Sequence, residues 1–232
     1  MRAAALAALA VVGCQLDNNG GSATAVSPNQ LAAKLQALSQ RMHARYLGAH
    51  RLIAAVGRSD LDSARLEAHA MSVLEEPDVL PEWRPYFVAV SQAALDIELA
   101  PDVGVAGRLV ATLGARCLAC HTAARAKPKL APLPHGPTRM LEHQQAAIAM
   151  WDGLVISSDE HWLAGADILA TAPLAMVARA ATPEWPDDVD DVARLRMYAQ
   201  RAKHVTAPAE RTELFGTIMT TCSHCHTALR DR

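Results

Sequence analysis

Cys117-Leu118-Ala119-Cys120-His121 is followed 105 positions later (222 − 117) by Cys222-Ser223-His224-Cys225-His226. Two thiols three residues apart fall on one face of a helical turn. From there both can add to the vinyl groups of one porphyrin, and the adjacent histidine points its imidazole at the iron. The pattern predicts two covalently bound haem c groups. Cys117, Cys120, Cys222 and Cys225 would carry the thioethers, and His121 and His226 would be the proximal iron ligands. Zinc and disulfide readings fit less well. A zinc ribbon separates its two Cys-x-x-Cys knuckles by roughly 15–20 residues, whereas Cys120 and Cys222 stand 102 apart (222 − 120). A dithiol couple needs no following histidine, and both pairs have one.

Working outward, the two halves repeat. Pro81-Glu82-Trp83 recurs as Pro183-Glu184-Trp185 at an offset of 102, and Ser59-Asp60 as Ser158-Asp159 at an offset of 99. Thr122 and Arg125 after the first motif match Thr227 and Arg230 after the second. Each half parses into four helices, over 28–57, 60–76, 84–99 and 103–126, then over 138–156, 159–180, 187–204 and 208–230. Ser27 reads as an N-cap with Pro28 at the first helical position, Gly57 as a helix end, and Ser59-Asp60 as the next start. Glu76-Pro77, Leu80-Pro81 and Ala100-Pro101 mark loops, because a residue before proline is pushed out of the helical region. The four prolines at 128, 132, 134 and 137 make 128–137 a semi-rigid linker between a first haem domain, 28–127, and a second, 138–232. The expectation is an all-α protein of two tandem four-helix bundles, each with its Cys-x-x-Cys-His near the end of the fourth helix.

Composition agrees. Hydrophobic residues make up 51% of the 232-residue chain but aromatics only 4%, so alanine and leucine, both helix formers, supply the apolar content. The 22 basic and 24 acidic side chains nearly balance, with no basic block, which argues against a nucleic-acid partner.

The N-terminus has its own logic. Arg2 precedes the apolar run Ala3 to Val12 and then Gly13-Cys14, the layout of a secretory signal too short to span a bilayer. Val11-Val12-Gly13-Cys14 resembles a bacterial lipobox, which implies a signal peptide over 1–13 and a lipid on Cys14. The cysteines then divide into one anchor and four thioethers. Residues 14–27 are small, polar and glycine-containing and read as a flexible tether. Gln15 is not an aspartate, which by resemblance to the lipoprotein sorting pattern favours the outer membrane. No later stretch reaches 18 consecutive apolar residues, so the expected location is a periplasm-facing lipoprotein held by its anchor.

Four helices with Cys-x-x-Cys-His near the end of the fourth, and Arg125 and Arg230 four residues after the haem histidines, resemble cytochrome c′, the four-helix-bundle class of c-type cytochromes. Ala124 and Leu229 stand where that family carries an aromatic. The resemblance covers about 28–232 as two copies. It implies that a residue of the first helix covers the distal face of each haem, since the antiparallel first helix starts beside the end of the fourth. Arg139-Met140-Leu141-Glu142-His143 matches the family's arginine followed four residues later by the distal residue, which points to His143. In the first half His43 and Met42 fall in similar register. His43 and His143, 100 apart, are the leading distal candidates, Met42 and Met140 the alternatives, and an open site the third possibility.

Two haems on a tether imply a non-enzymatic electron carrier between periplasmic or membrane redox partners, with a homodimer also in keeping with the resemblance. The alternative is a haem protein with an open distal site that binds nitric oxide or carbon monoxide or reacts with peroxide.

Overall fold

The computed structural model describes residues 27–74, 79–126, 128, 130, 139–171 and 186–230, and their side chains except those of 139–142, 186–190 and 229. The signal, Cys14, the tether and most of the linker lie outside the described residues. Eight α-helices and one 3-10 turn are present and no strand is found among the described residues: α1 Pro28–Gly57, α2 Leu61–Ser72, the turn Pro81–Trp83, α3 Arg84–Glu98, α4 Val103–Ala123, α5 Arg139–Val155, α6 Asp159–Thr171, α7 Pro186–Ala202 and α8 Pro208–Arg230. The protein is all-α.

The helix starts follow from side chains that satisfy orphan amides. Ser27 Oγ accepts from the Gln30 amide at 3.3 Å, and the Gln30 side chain accepts from the Ser27 amide at 2.9 Å, a capping box with Pro28 behind it. Asp60 accepts from the Ser63 amide at 3.0 Å and Asp102 from the Val105 amide at 2.8 Å. Hydrogen bonds from Ser63 hold the Asp60 carboxyl below its ordinary value. Each such cap contributes about 1 kcal/mol. The second helix stops at Ser72 rather than 76, where the Ser72 hydroxyl turns back onto the His69 carbonyl at 2.9 Å.

Within each half, consecutive helices touch, and the fourth returns to the first: α4 to α1, α8 to α5. The most extensive pairing of all crosses the halves, α4 on α8. It is antiparallel. The Thr220 hydroxyl donates to the Gly104 carbonyl at 3.2 Å, a Cβ on Gly107 would lie 3.0 Å from the Thr220 amide nitrogen, and one on Gly216 would lie 3.3 Å from Ala111 Cβ. Small residues at the crossing let the backbones approach. Ala111 and Gly216 differ by the motif offset of 105, so each faces its own counterpart, the signature of a local two-fold relation between the halves. One apolar cluster runs through both halves, from Leu52, Ile53 and Ile97 to Trp151, Trp162, Phe215 and Ile218. By length and mean hydropathy of 1.4, α4 could cross a membrane, but in the fold its Ala106, Val110 and Leu113 are buried in this core.

The structure also sets the register between α1 and α5. The helices end at Gly57 and Val155, the left-handed residues after them are Ser59 and Ser157, and the side-chain caps of the next helices are Asp60 and Ser158. All three pairs differ by 98, not by the 99 of the Ser-Asp identity. Burial agrees: Ala49 and Ala147, Leu52 and Met150, Ile53 and Trp151, Val56 and Leu154 are all core residues. In this register Met42 corresponds to Met140, and His143 to Arg45 rather than to His43.

Candidate functional site

The first motif closes α4. Leu113, Cys117, Cys120 and His121 share one helical face and form a wall of an apolar cleft that opens to solvent. Met42, Arg45, Tyr46 and Ala49 of α1, Met71 of α2, Tyr86, Phe87 and Val90 of α3, and Trp151 and Val155 of α5 supply the other walls. Arg45 is fixed across this space: it donates to the Leu74 carbonyl at 3.0 Å and lies 5.1 Å from the centre of the Phe87 ring.

The thiols are held as thiols. Burial first, and the neighbouring Cys120 next, push the Cys117 thiol up to about 12. Burial followed by the Cys225 and Asp191 charges does the same to Cys222, also to about 12. No disulfide joins the described cysteines. Among the described residues no three His, Cys, Asp or Glu side chains gather so as to hold a bare metal ion.

Both motif histidines are pushed toward the neutral form. Burial pulls the His121 imidazole below its ordinary value, opposed by its bond to Val155. Burial, then the Arg58 charge, lowers His226. Both are therefore neutral near pH 7. His121 Nδ1 lies 3.2 Å from the Val155 carbonyl oxygen. A carbonyl only accepts, so Nδ1 carries the proton and Nε2 keeps its lone pair. This is the arrangement that orients a ligating imidazole. The donor set and the apolar cradle at the first motif thus fit a c-type haem.

That orienting carbonyl belongs to the other half of the chain. The relation is reciprocal: at the end of α8, Arg230 donates to the Ser59 carbonyl at 2.8 Å and the Thr227 hydroxyl bonds to that of Ser59. Each motif's helix end docks on the corner after the other half's first helix. His121 and His226 lie ten residues beyond the Ala111–Gly216 crossing (121 − 111; 226 − 216) on antiparallel helices, about 15 Å to either side of it at 1.5 Å per residue.

Of the distal candidates, the structure brings Met42 to the cleft. His43, one position and about 100° further round the helix, is exposed and is not among the lining residues. His143 is half-buried and, in the 98 register, stands where Arg45 stands in the first half. The Met140 side chain lies outside the described ones. Beside the second motif, buried Asp191 receives hydrogen bonds from His224 and Arg194. Trp83, which closes the repeated Pro-Glu-Trp sequence of the first half, is half-buried. Among the described residues the fully buried tryptophans are Trp151 and Trp162, and the Trp162 indole donates to the Ala202 carbonyl at 2.8 Å.

Sequence reading passed over Asp152. It is buried on α5 and accepts from the Tyr46 hydroxyl at 3.0 Å, with His50 Nε2 at 3.1 Å, tying the two halves together at the rim of the cleft. Asp152→Ala strands both partners at about 1–3 kcal/mol each, so a lowered thermal midpoint is expected. In a double-mutant cycle its cost should be non-additive with that of Tyr46→Phe; additive costs would show that the bond contributes nothing.

The chain matches no protein-family model, no curated protein and no solved structure.

Proposed function

We propose that this chain is a dihaem c-type cytochrome that carries electrons at the periplasmic face of a bacterial membrane, built from two cytochrome c′-like four-helix units and tethered through Cys14. The observation that carries the reading is the first motif's setting: two half-buried thiols, a neutral histidine with its Nδ1–H committed to a carbonyl, and an apolar cleft on the same helical face. A haem bound there supplies a one-electron iron couple.

The chain's residues do the rest. Cys117 and Cys120 would hold the macrocycle by thioethers. His121 presents Nε2, and the Val155 carbonyl keeps the ring from turning. Met42 offers a thioether sulfur from α1 to the same cleft, and Met71, Tyr86, Phe87, Val90 and Trp151 give it apolar walls. At the second motif Cys222, Cys225 and His226 take the same parts, with His143 and Met140 as the distal candidates. Because the motifs lie at opposite ends of the α4–α8 pair, each serves its own face of the molecule. No general acid, base or nucleophile is required, so the protein works as a carrier and not as an enzyme.

Absorption spectra of the ferric and ferrous protein, with and without carbon monoxide, test this. The wild type is expected to be low-spin and slow to bind carbon monoxide. Met42→Ala should turn one haem high-spin and open a carbon monoxide site, while His43→Ala leaves the spectrum unchanged. A wild type that is already high-spin at both irons and binds carbon monoxide rapidly would replace the carrier reading with a gas-binding one.

A further inference from the structure

The helix α1 is 30 residues long, but its burial begins only at Arg45; residues 28–36 are all exposed. The exposed part is not uniformly polar. Leu31, Leu35, Leu38 and Met42 follow one another at spacings of four, three and four, a single stripe. Further along, the same stripe runs through Arg45, Ala49, Leu52 and Val56, where the body of the protein covers it. In its first turns Leu31 and Leu35 are each 47% exposed. The helix also contains no aspartate or glutamate, and its basic residues are Lys34, Arg41, Arg45 and Arg51, although the chain as a whole has a formal charge of −2.

We propose that the first four turns of α1 lie on an anionic lipid surface, with Leu31, Leu35 and Leu38 entering the boundary between headgroups and acyl chains and Lys34 meeting lipid phosphate. An apolar stripe flanked by basic residues is the pattern of an interfacial helix, and long basic side chains reach past the apolar boundary to the phosphates. Chain position favours the same occupant, and here the inference rests on the reading of Cys14 as a lipid anchor. Ser27 follows Cys14 by thirteen residues (27 − 14), so even fully extended the start of α1 stays within about 45 Å of the anchored end. A second copy of α1 is the weaker occupant. The helix carries four basic residues and no acidic one, so two copies side by side would set like charges against each other.

The test uses the full chain carrying Cys14→Ser, which cannot be lipidated, and sediments it with vesicles of phosphatidylethanolamine and phosphatidylglycerol or of phosphatidylcholine alone. Binding is expected to the anionic vesicles and to weaken with salt. Lys34→Ala should bind about fivefold more weakly, and Leu31→Asn with Leu35→Asn about tenfold or more weakly. Leu66→Asn, on an exposed leucine of α2 off the stripe, should change nothing. Absence of binding, or binding that the leucine pair does not affect, overturns the proposal. So does a dimer in light scattering that the leucine pair dissolves, because the stripe is then covered by a second copy. Mass analysis of the mature N-terminus of the wild type decides separately whether Cys14 is lipidated.

Discussion

Replacing Cys117 and Cys120 together by alanine is expected to lower the covalent haem content from two per chain to one, and replacing Cys222 and Cys225 as well to abolish it. The chain has two motifs, and the two thiols of each are three residues apart on a helix, the separation that one porphyrin's vinyl groups need. A zinc ribbon would instead bring its two Cys-x-x-Cys pairs within roughly 15–20 residues of each other, and here they stand 102 apart (222 − 120). A pyridine haemochrome assay against protein concentration, after acid-acetone extraction, measures the ratio. Haem that leaves with the acid acetone from the wild type, or a wild-type ratio near one, contradicts attachment at both motifs. The first double variant should also be less stable than the parent. Met42, Tyr86, Phe87 and Trp151 would then line an unfilled apolar cleft and lose their contacts on one side.

Gly165→Val is expected to cost about 3 kcal/mol or more, a large share of the 5–15 kcal/mol that holds a typical domain together. A Cβ at 165 would be driven against the carbonyl oxygen of Ala146, with Met150 Cγ 2.6 Å away; one at Gly153 would be driven against the Trp162 amide nitrogen. These two glycines let α5 and α6 approach, and α5 is the helix that delivers Trp151 and the Val155 carbonyl to the first motif. Thermal unfolding and haem spectra should therefore change together. Gly57→Ala is the contrast. Its Cβ would meet only Met219 Cε, at 3.9 Å, and alanine is the better helix former, so a gain of about 0.5–1 kcal/mol is expected. An unchanged midpoint in Gly165→Val would mean that the helices separate without cost and that the close approach is not required.

The helix starts were legible because they are local. Ser27, Asp60 and Asp102 cap amides three residues away, and proline marks the loops. The register of the repeat was less so. Ser59-Asp60 matches Ser158-Asp159 as letters, but serine and aspartate both cap. The chain caps α6 with Ser158, which shifts the true correspondence by one residue. One residue on a helix is about 100°, enough to turn His43 out of the cleft and Met42 into it. A second signal was present and went unread. Gly107 and Ala111, four apart, and Gly216 in the partner helix are the small residues that allow two helices to cross closely.

What the amino-acid sequence determined by itself is the chemistry carried within one helical turn: two thiols and an imidazole, twice, in a helix-forming context with its caps and breaks. That information lies within five residues and needs no distant partner. Only the tertiary structure decided which residue of α1 meets the first motif and that the second half completes it through Val155 and Trp151. The physical reason is that a backbone carbonyl carries no signature in the sequence. Where it ends up depends on the length of α5, on glycines that set how closely α5 and α6 pack, and on the antiparallel crossing of α4 and α8 that folds each half onto the other's corner.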